Sequence, residues 1–174
     1  MPADQAIAVD DLVIRKLDGS PPSGFDCGRE MQNSFLYERA WEDQRESLSV
    51  TYLYFVKGMF AAYATVCMDS LELGTREKIF KVRYKYVSAL KIAQLGVHRS
   101  FQGQGLGKLV VADMIAFAQE QAGKVGCRYV SLDAQPDIEG WYKAQGFKRN
   151  KLMQRSPHSV SMRYDIGEAT STSG

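Results

Sequence analysis

Cysteine is scarce in this chain. Cys27, Cys67 and Cys127 stand far apart and form no Cys-x-x-Cys pair. An odd, dispersed set supplies neither a disulfide framework nor zinc-ligand spacing. The two histidines, His98 and His158, add no ligand pattern, so a metal-free protein is expected. Long apolar runs are also missing. None approaches the roughly 20 residues that span a bilayer, and the opening MPADQAIAVDD has neither the basic nor the apolar region of a signal peptide. A cytoplasmic protein with no membrane partner is the expectation. Charge of one sign is not in excess: the formal net charge is +2, which excludes a polycation reading of the whole molecule. No internal repeat is present.

The length of 174 residues, 45% of them apolar, suits one packed domain. It is expected to occupy residues 1–166, with the small polar stretch GEATSTSG (167–174) as a frayed tail. Leu12 to Leu17 reads as a first strand and SPPSG (20–24) as a loop. From Glu30 to Arg45, Met31, Phe35, Leu36, Ala40 and Trp41 recur at helical spacing. Thr51 to Met68 reads as a hairpin turning at Lys57-Gly58, its strands dense in aromatic and β-branched residues. Ala89–Val97 is a buried strand, Gly107–Glu120 an amphipathic helix closed by Lys124-Val125-Gly126, and Cys127–Ala134 the next strand. Ile138–Gln145 is a short helix stopped by Gly146, with strands from Phe147 and over Val160–Tyr164. This order predicts an α/β chain with one mixed sheet of six to seven strands flanked by helices. The stretch 89–134 should be a right-handed βαβ unit.

The most informative stretch is LGVHRSFQGQGLGK, residues 95–108. A strand ending at Val97 enters a loop carrying Gly103, Gly105 and Gly107, and a helical pattern begins at about Leu106. Glycine lets the backbone approach a ligand closely. A helix N-terminus offers unpaired N–H groups and partial positive charge. The combination is a socket for phosphate or pyrophosphate. A P-loop is excluded because Leu109 follows Gly107-Lys108 and Gln102 stands where its first glycine belongs. A Rossmann fingerprint is excluded by the Gly-x-Gly-x-Gly spacing and by its place well past the middle of the chain.

Gln102-x-x-Gly105-x-Gly107 resembles the acetyl-CoA loop of the GCN5-related N-acetyltransferases (GNAT), and WYKAQGF (141–147) resembles the aromatic-Tyr-x-x-x-Gly-Phe close of that family. The resemblance covers about residues 89–150. It implies a GNAT fold and acetyl-CoA as cosubstrate. It also implies direct attack by the primary amine of an acceptor, in a ternary complex. Gly24-Phe25-Asp26-Cys27-Gly28 ahead of a helix, and Lys91 to Leu95, are similar to the branch that contains toxins acetylating aminoacyl-tRNA. The alternative is a catalytically silent CoA-binding sensor or interaction module.

The resemblance assigns roles residue by residue. Tyr142 corresponds to the general acid that protonates the departing thiolate. Backbone groups of Leu95 and Val97 would hold the pantetheine arm, on a strand splayed from its neighbour. Gln102, Gly103, Gln104, Gly105, Leu106, Gly107 and Lys108 would surround the pyrophosphate. Gln135 stands where many members carry an Asn against the pantetheine arm. The general base is open between Asp133, Glu139 and a water chain, and Cys127 reads as core rather than nucleophile. Arg76, Lys78, Lys81, Arg83, Lys85 and Lys91 are interleaved with Phe80, Tyr84 and Tyr86. On a strand, Lys81, Arg83 and Lys85 would share one face. Such a ribbon suits tRNA, would also fit an acidic peptide or the CoA 3′-phosphate, or simply guards a sheet edge. A monomer and a homodimer are both compatible with the sequence.

Overall fold

The computed structural model describes residues 6–75, 82–152 and 156–167. The predicted tail beyond Gly167 lies outside them. Among the described residues, seven strands form one mixed sheet: β1 (Leu12–Lys16), β2 (Val50–Val56), β3 (Met59–Glu72), β4 (Tyr86–Val97), β5 (Tyr129–Ala134), β6 (Lys148–Arg149) and β7 (Val160–Asp165). Their spatial order is β1-β2-β3-β4-β5-β7-β6. The α-helices are α1 (Glu30–Ser34), α2 (Ala40–Arg45), α3 (Leu106–Val125) and α4 (Glu139–Ala144). The chain divides into two compact units. The first runs up to Cys67 and resumes over Ile92–Met114; the second comprises Met68–Lys91 and the chain from Ile115 onward.

In the first unit, β1, β2 and β3 pair antiparallel. The β2–β3 hairpin turns through Lys57 (φ 49°) and Gly58 (φ 82°), the two left-handed residues that a tight hairpin turn requires. This matches the predicted turn. A bulge lies just ahead of the turn, between Tyr54 and Phe55. Thr51 and Thr65, opposed across the pair, share a buried 2.8 Å hydroxyl hydrogen bond. The Tyr54 hydroxyl reaches Asp113 of α3 at 2.7 Å, so a phenol inside the unit has its polar end satisfied.

The predicted helix over 30–45 forms, but in three pieces. Between α1 and α2 lies one π turn, Phe35–Arg39, in which the Ala40 N–H donates to the Phe35 carbonyl five residues back. The turn follows a side-chain intrusion, one of the recognised causes of such irregularities. The hydroxyl of buried Tyr63 donates to the Gln32 carbonyl at 2.7 Å, competing for an acceptor that an α-helix would use itself. Leu36 and Ala40, four residues apart, both reach the core, packing with Leu17, Phe25, Cys27, Leu53 and Tyr63. Met31, predicted as part of this apolar face, is instead exposed. It precedes the π turn, which rotates the buried stripe away from it.

Tyr63 lies so close to β4 that a Cβ on Gly96 would sit 2.7 Å from its ring and 3.3 Å from that of Phe25. Gly96→Ala is therefore expected to destabilise the protein by about 1–3 kcal/mol through overpacking. Urea unfolding checks it; an unchanged midpoint would show that the rings move aside freely.

In the second unit, β7 pairs antiparallel with β5 and with β6. Leu71, Leu73, Ala89 and Tyr129 form a core there, with Val82 and Val87 against it. β3 continues to Glu72 and β4 starts at Tyr86, while 82–85 is irregular. Arg76, Lys78 and Lys81 lie outside the described residues.

Candidate functional site

β4 delivers Leu95 and Val97 to the start of the glycine loop in the first unit. His98 accepts the Ser100 N–H on Nδ1 and caps the short turn Arg99–Phe101; its backbone N–H donates to the Ala61 carbonyl at 2.8 Å. Gln102 then turns inward. Its Nε2 donates to the Val97 carbonyl (2.8 Å) and to the Cys27 carbonyl (2.9 Å). The side chain is a tether, and the loop beyond it presents backbone. The N–H of Ile7 donates to the Gln104 carbonyl at 3.1 Å, and Gln104 Nε2 donates to the Ser100 carbonyl at 2.8 Å.

Gly103 has φ +77° and Gly105 φ +82°, and a Cβ added to either would meet nothing within 4 Å. Both are left-handed, a conformation that costs an L-residue roughly 1–2 kcal/mol. Among the described residues, no side chain packs against the Cβ position of either. Gly107 lies inside the first turn of α3. The N–H groups of Lys108 and Leu109 donate to the Gly105 carbonyl; those of Leu106 and Gly107 precede the first intrahelical acceptor. A 20-residue helix thus presents its positive end beside two glycines under open space. These residues fit a phosphate or pyrophosphate group.

Gln135 and Tyr142 belong to the second unit. Gln135 is extended (φ −66°, ψ 145°) and leads through the turn Pro136–Ile138 into α4. Tyr142 is buried, its ring edge-on to Trp141 (centroids 4.9 Å apart) and to Phe147 (5.7 Å).

The two carboxylates considered as general base are both engaged. Asp133 pairs with Lys91 at 2.6 Å, and both side chains are largely covered. Arg149 grips the two oxygens of Glu139, each at 2.5 Å, and Lys143 adds a third contact at 2.7 Å. The Arg149 guanidinium, helped by Lys143, holds the Glu139 carboxyl down to about 2, so it is a poor proton acceptor. Its folded pKa lies below the ordinary 4.5. The stability it contributes is therefore present above pH 4.5 and lost as pH falls toward 2. Thermal unfolding of Glu139→Gln should differ from wild type by a constant amount at neutral pH, and the gap should close toward pH 2. A gap independent of pH would contradict this.

Burial raises the pKa of the Cys127 thiol, as a core cysteine requires and a nucleophile does not. Of the basic residues described, Lys85 pairs with Glu72 at 3.1 Å and Lys91 is committed to Asp133. The common face considered for Lys81, Arg83 and Lys85 involves Lys81, which lies outside the described residues, and 82–85 is irregular.

Sequence reasoning missed Asp26, Asn33 and Arg99. Asp26 accepts from the Gly28 N–H (2.7 Å) and Asn33 Nδ2 (2.8 Å) and pairs with Arg99 Nε (2.9 Å). The one local signal was Asp26-x-Gly28, the spacing of a side-chain-closed turn.

Residues 62–149, half of the chain, match the acetyltransferase (GNAT) domain family. No curated protein sequence matches the chain. Among solved structures, AtaT complexed with acetyl-methionyl-tRNAfMet is 23% identical, with a TM-score of 0.80 over 94% of this chain and 100% of that one. AtaTR bound with acetyl-CoA is 23% identical, with a TM-score of 0.76 over 95% and 100%. A tyrosine-to-phenylalanine mutant of KacT is 20% identical, with a TM-score of 0.79 over 93% and 99%. At these identities the likeness establishes the fold. With the family match, the shared fold and the glycine loop at the head of α3, this chain belongs to the GNAT acetyltransferase family and is an enzyme of the acetyl-CoA-dependent N-acetyltransferase class.

Proposed function

We propose that the chain, acting as one catalytic domain over residues 1–166, moves the acetyl group of acetyl-CoA directly to the primary amine of an acceptor. The observation that carries this reading is the open, left-handed Gly103–Gly105 segment at the N-terminus of α3. Leu106 and Gly107 would offer N–H groups to the pyrophosphate, with Gly103, Gln104, Gly105 and Lys108 lining it. Backbone groups of Leu95 and Val97 would hold the pantetheine arm and polarise the acetyl carbonyl, and Gln135 would add an amide contact.

The chemistry follows from three needs. The neutral amine nitrogen attacks the thioester carbonyl, and the oxyanion that forms needs an N–H donor, supplied by β4. The C–S bond breaks, and the sulfur takes a proton from the Tyr142 hydroxyl. Phenols stay protonated at neutral pH, so such a donor is ready. The proton lost by the amine passes to water and bulk solvent, which also reprotonates the tyrosine. Asp133 and Glu139 are held by Lys91 and by Arg149 with Lys143, which favours this water route over a carboxylate base.

For the acceptor, an aminoacyl-tRNA is the most specific version, with the chain acting as a toxin. AtaT, a relative in fold, is known with acetyl-methionyl-tRNAfMet and in complexes with its antitoxin AtaR. The test is induced expression. Growth arrest by the wild-type chain, relieved by Tyr142→Phe, supports this acceptor. Normal growth would remove it and leave a small-molecule or peptide amine.

A further inference from the structure

We infer that Asp26 and Asn33 are positioning residues for the glycine loop, making acetyl-donor affinity depend on the N-terminal helix. The inference rests on the donor-site reading given above. Both ends of the Asn33 amide are used: Nδ2 donates to Asp26 Oδ1 at 2.8 Å, and Oδ1 accepts from the Cys27 N–H at 3.0 Å and the Cys27 thiol at 3.1 Å. Asp26 also takes the Gly28 N–H and the Arg99 guanidinium. The backbone fixed by this node then reaches the loop twice. The Arg99 N–H donates to the Asp26 carbonyl at 2.9 Å, and Gln102 donates to the Cys27 carbonyl while also holding that of Val97. From a side chain on α1 to the residue preceding Gly103, every link is a hydrogen bond within one compact unit.

The contacts are poorly placed for a purely stabilising role. The side chains of Asp26 and Arg99 are 48% and 65% exposed, and exposed ion pairs add little to folding. Their geometry instead sets where the backbone of Arg99 to Gln102 lies. That backbone decides where the amides after it point. An error of about 1 Å in such a cradle is costly to a bound group.

The test measures acetyl-CoA affinity by isothermal titration on the full chain, with melting temperature and amide hydrogen exchange of residues 102–107 on the same samples. Asn33→Ala and Asp26→Ala should weaken acetyl-CoA binding about tenfold and speed exchange in the loop, with melting within a few degrees of wild type. Should Asn33→Ala fail to fold, Asp26→Ala and Arg99→Gln, on the exposed pair, carry the test. Gly105→Trp is run alongside. If it binds like wild type, the donor-site reading fails. If it does not bind while the folded Asp26 and Asn33 variants bind and exchange as wild type, the positioning inference alone is overturned.

Discussion

Gly105→Trp is expected to abolish acetyl-CoA binding by a protein that still folds. Two effects act together. Gly105 sits at φ +82°, where any L-side chain costs about 1–2 kcal/mol. The indole would also enter the space beside the loop in which the proposed site puts the pyrophosphate, against the first amides of α3. Strain alone predicts a modest loss and occlusion a large one, so Gly105→Ala separates them: a few-fold for alanine, more than about 100-fold for tryptophan. Apart from its chain neighbours, no atom of the described residues lies within 4 Å of the added Cβ, so the core is not disturbed and melting should move little. Titration of acetyl-CoA into both variants measures this. Retained binding by the tryptophan variant would place the donor elsewhere.

The second large effect is expected at Tyr142. Tyr142→Phe keeps the ring and its edge contacts with Trp141 and Phe147 and removes one hydroxyl. If that hydroxyl protonates the departing sulfur, kcat falls by about 10²–10⁴-fold while acetyl-CoA affinity stays as in wild type. If the tyrosine is only packing, kcat stays within about twofold and the sole change is a loss near 1 kcal/mol of stability. Single-turnover rates with saturating acetyl-CoA distinguish the two. A variant that loses affinity and rate together would mean that the hydroxyl binds the donor rather than the transition state.

Local chemistry explains what was legible in the sequence. Lys57-Gly58 between two aromatic, β-branched runs could make only a tight hairpin, and it does. The glycine loop and the helix after it were readable because left-handed backbone and a free helix end leave residue signatures. What escaped depends on partners distant in sequence. The π turn at Phe35–Arg39 lies beside the Gln32 carbonyl that the distant Tyr63 hydroxyl shares, and no local pattern announces that. Lys91 looked like one more cation in a basic stretch, until the fold set it against Asp133. Val82 to Lys85 alternates like a strand yet is irregular, with Val82 turned to a local core. The Asp26–Asn33–Arg99 node spans 73 positions, from Asp26 to Arg99, and only the fold brings it together.

The most direct test of the account is transfer itself. Purified protein is incubated with acetyl-CoA labelled in the acetyl group, with and without a pool of charged tRNA and simple primary amines. Label in the acceptor and free CoA thiol are then counted. The account predicts equal amounts of labelled N-acetyl product and released thiol, both dependent on the amine and both lost in Tyr142→Phe. Tight binding of acetyl-CoA with no amine-dependent thiol release from any acceptor would contradict it and leave a protein that holds the donor without using it.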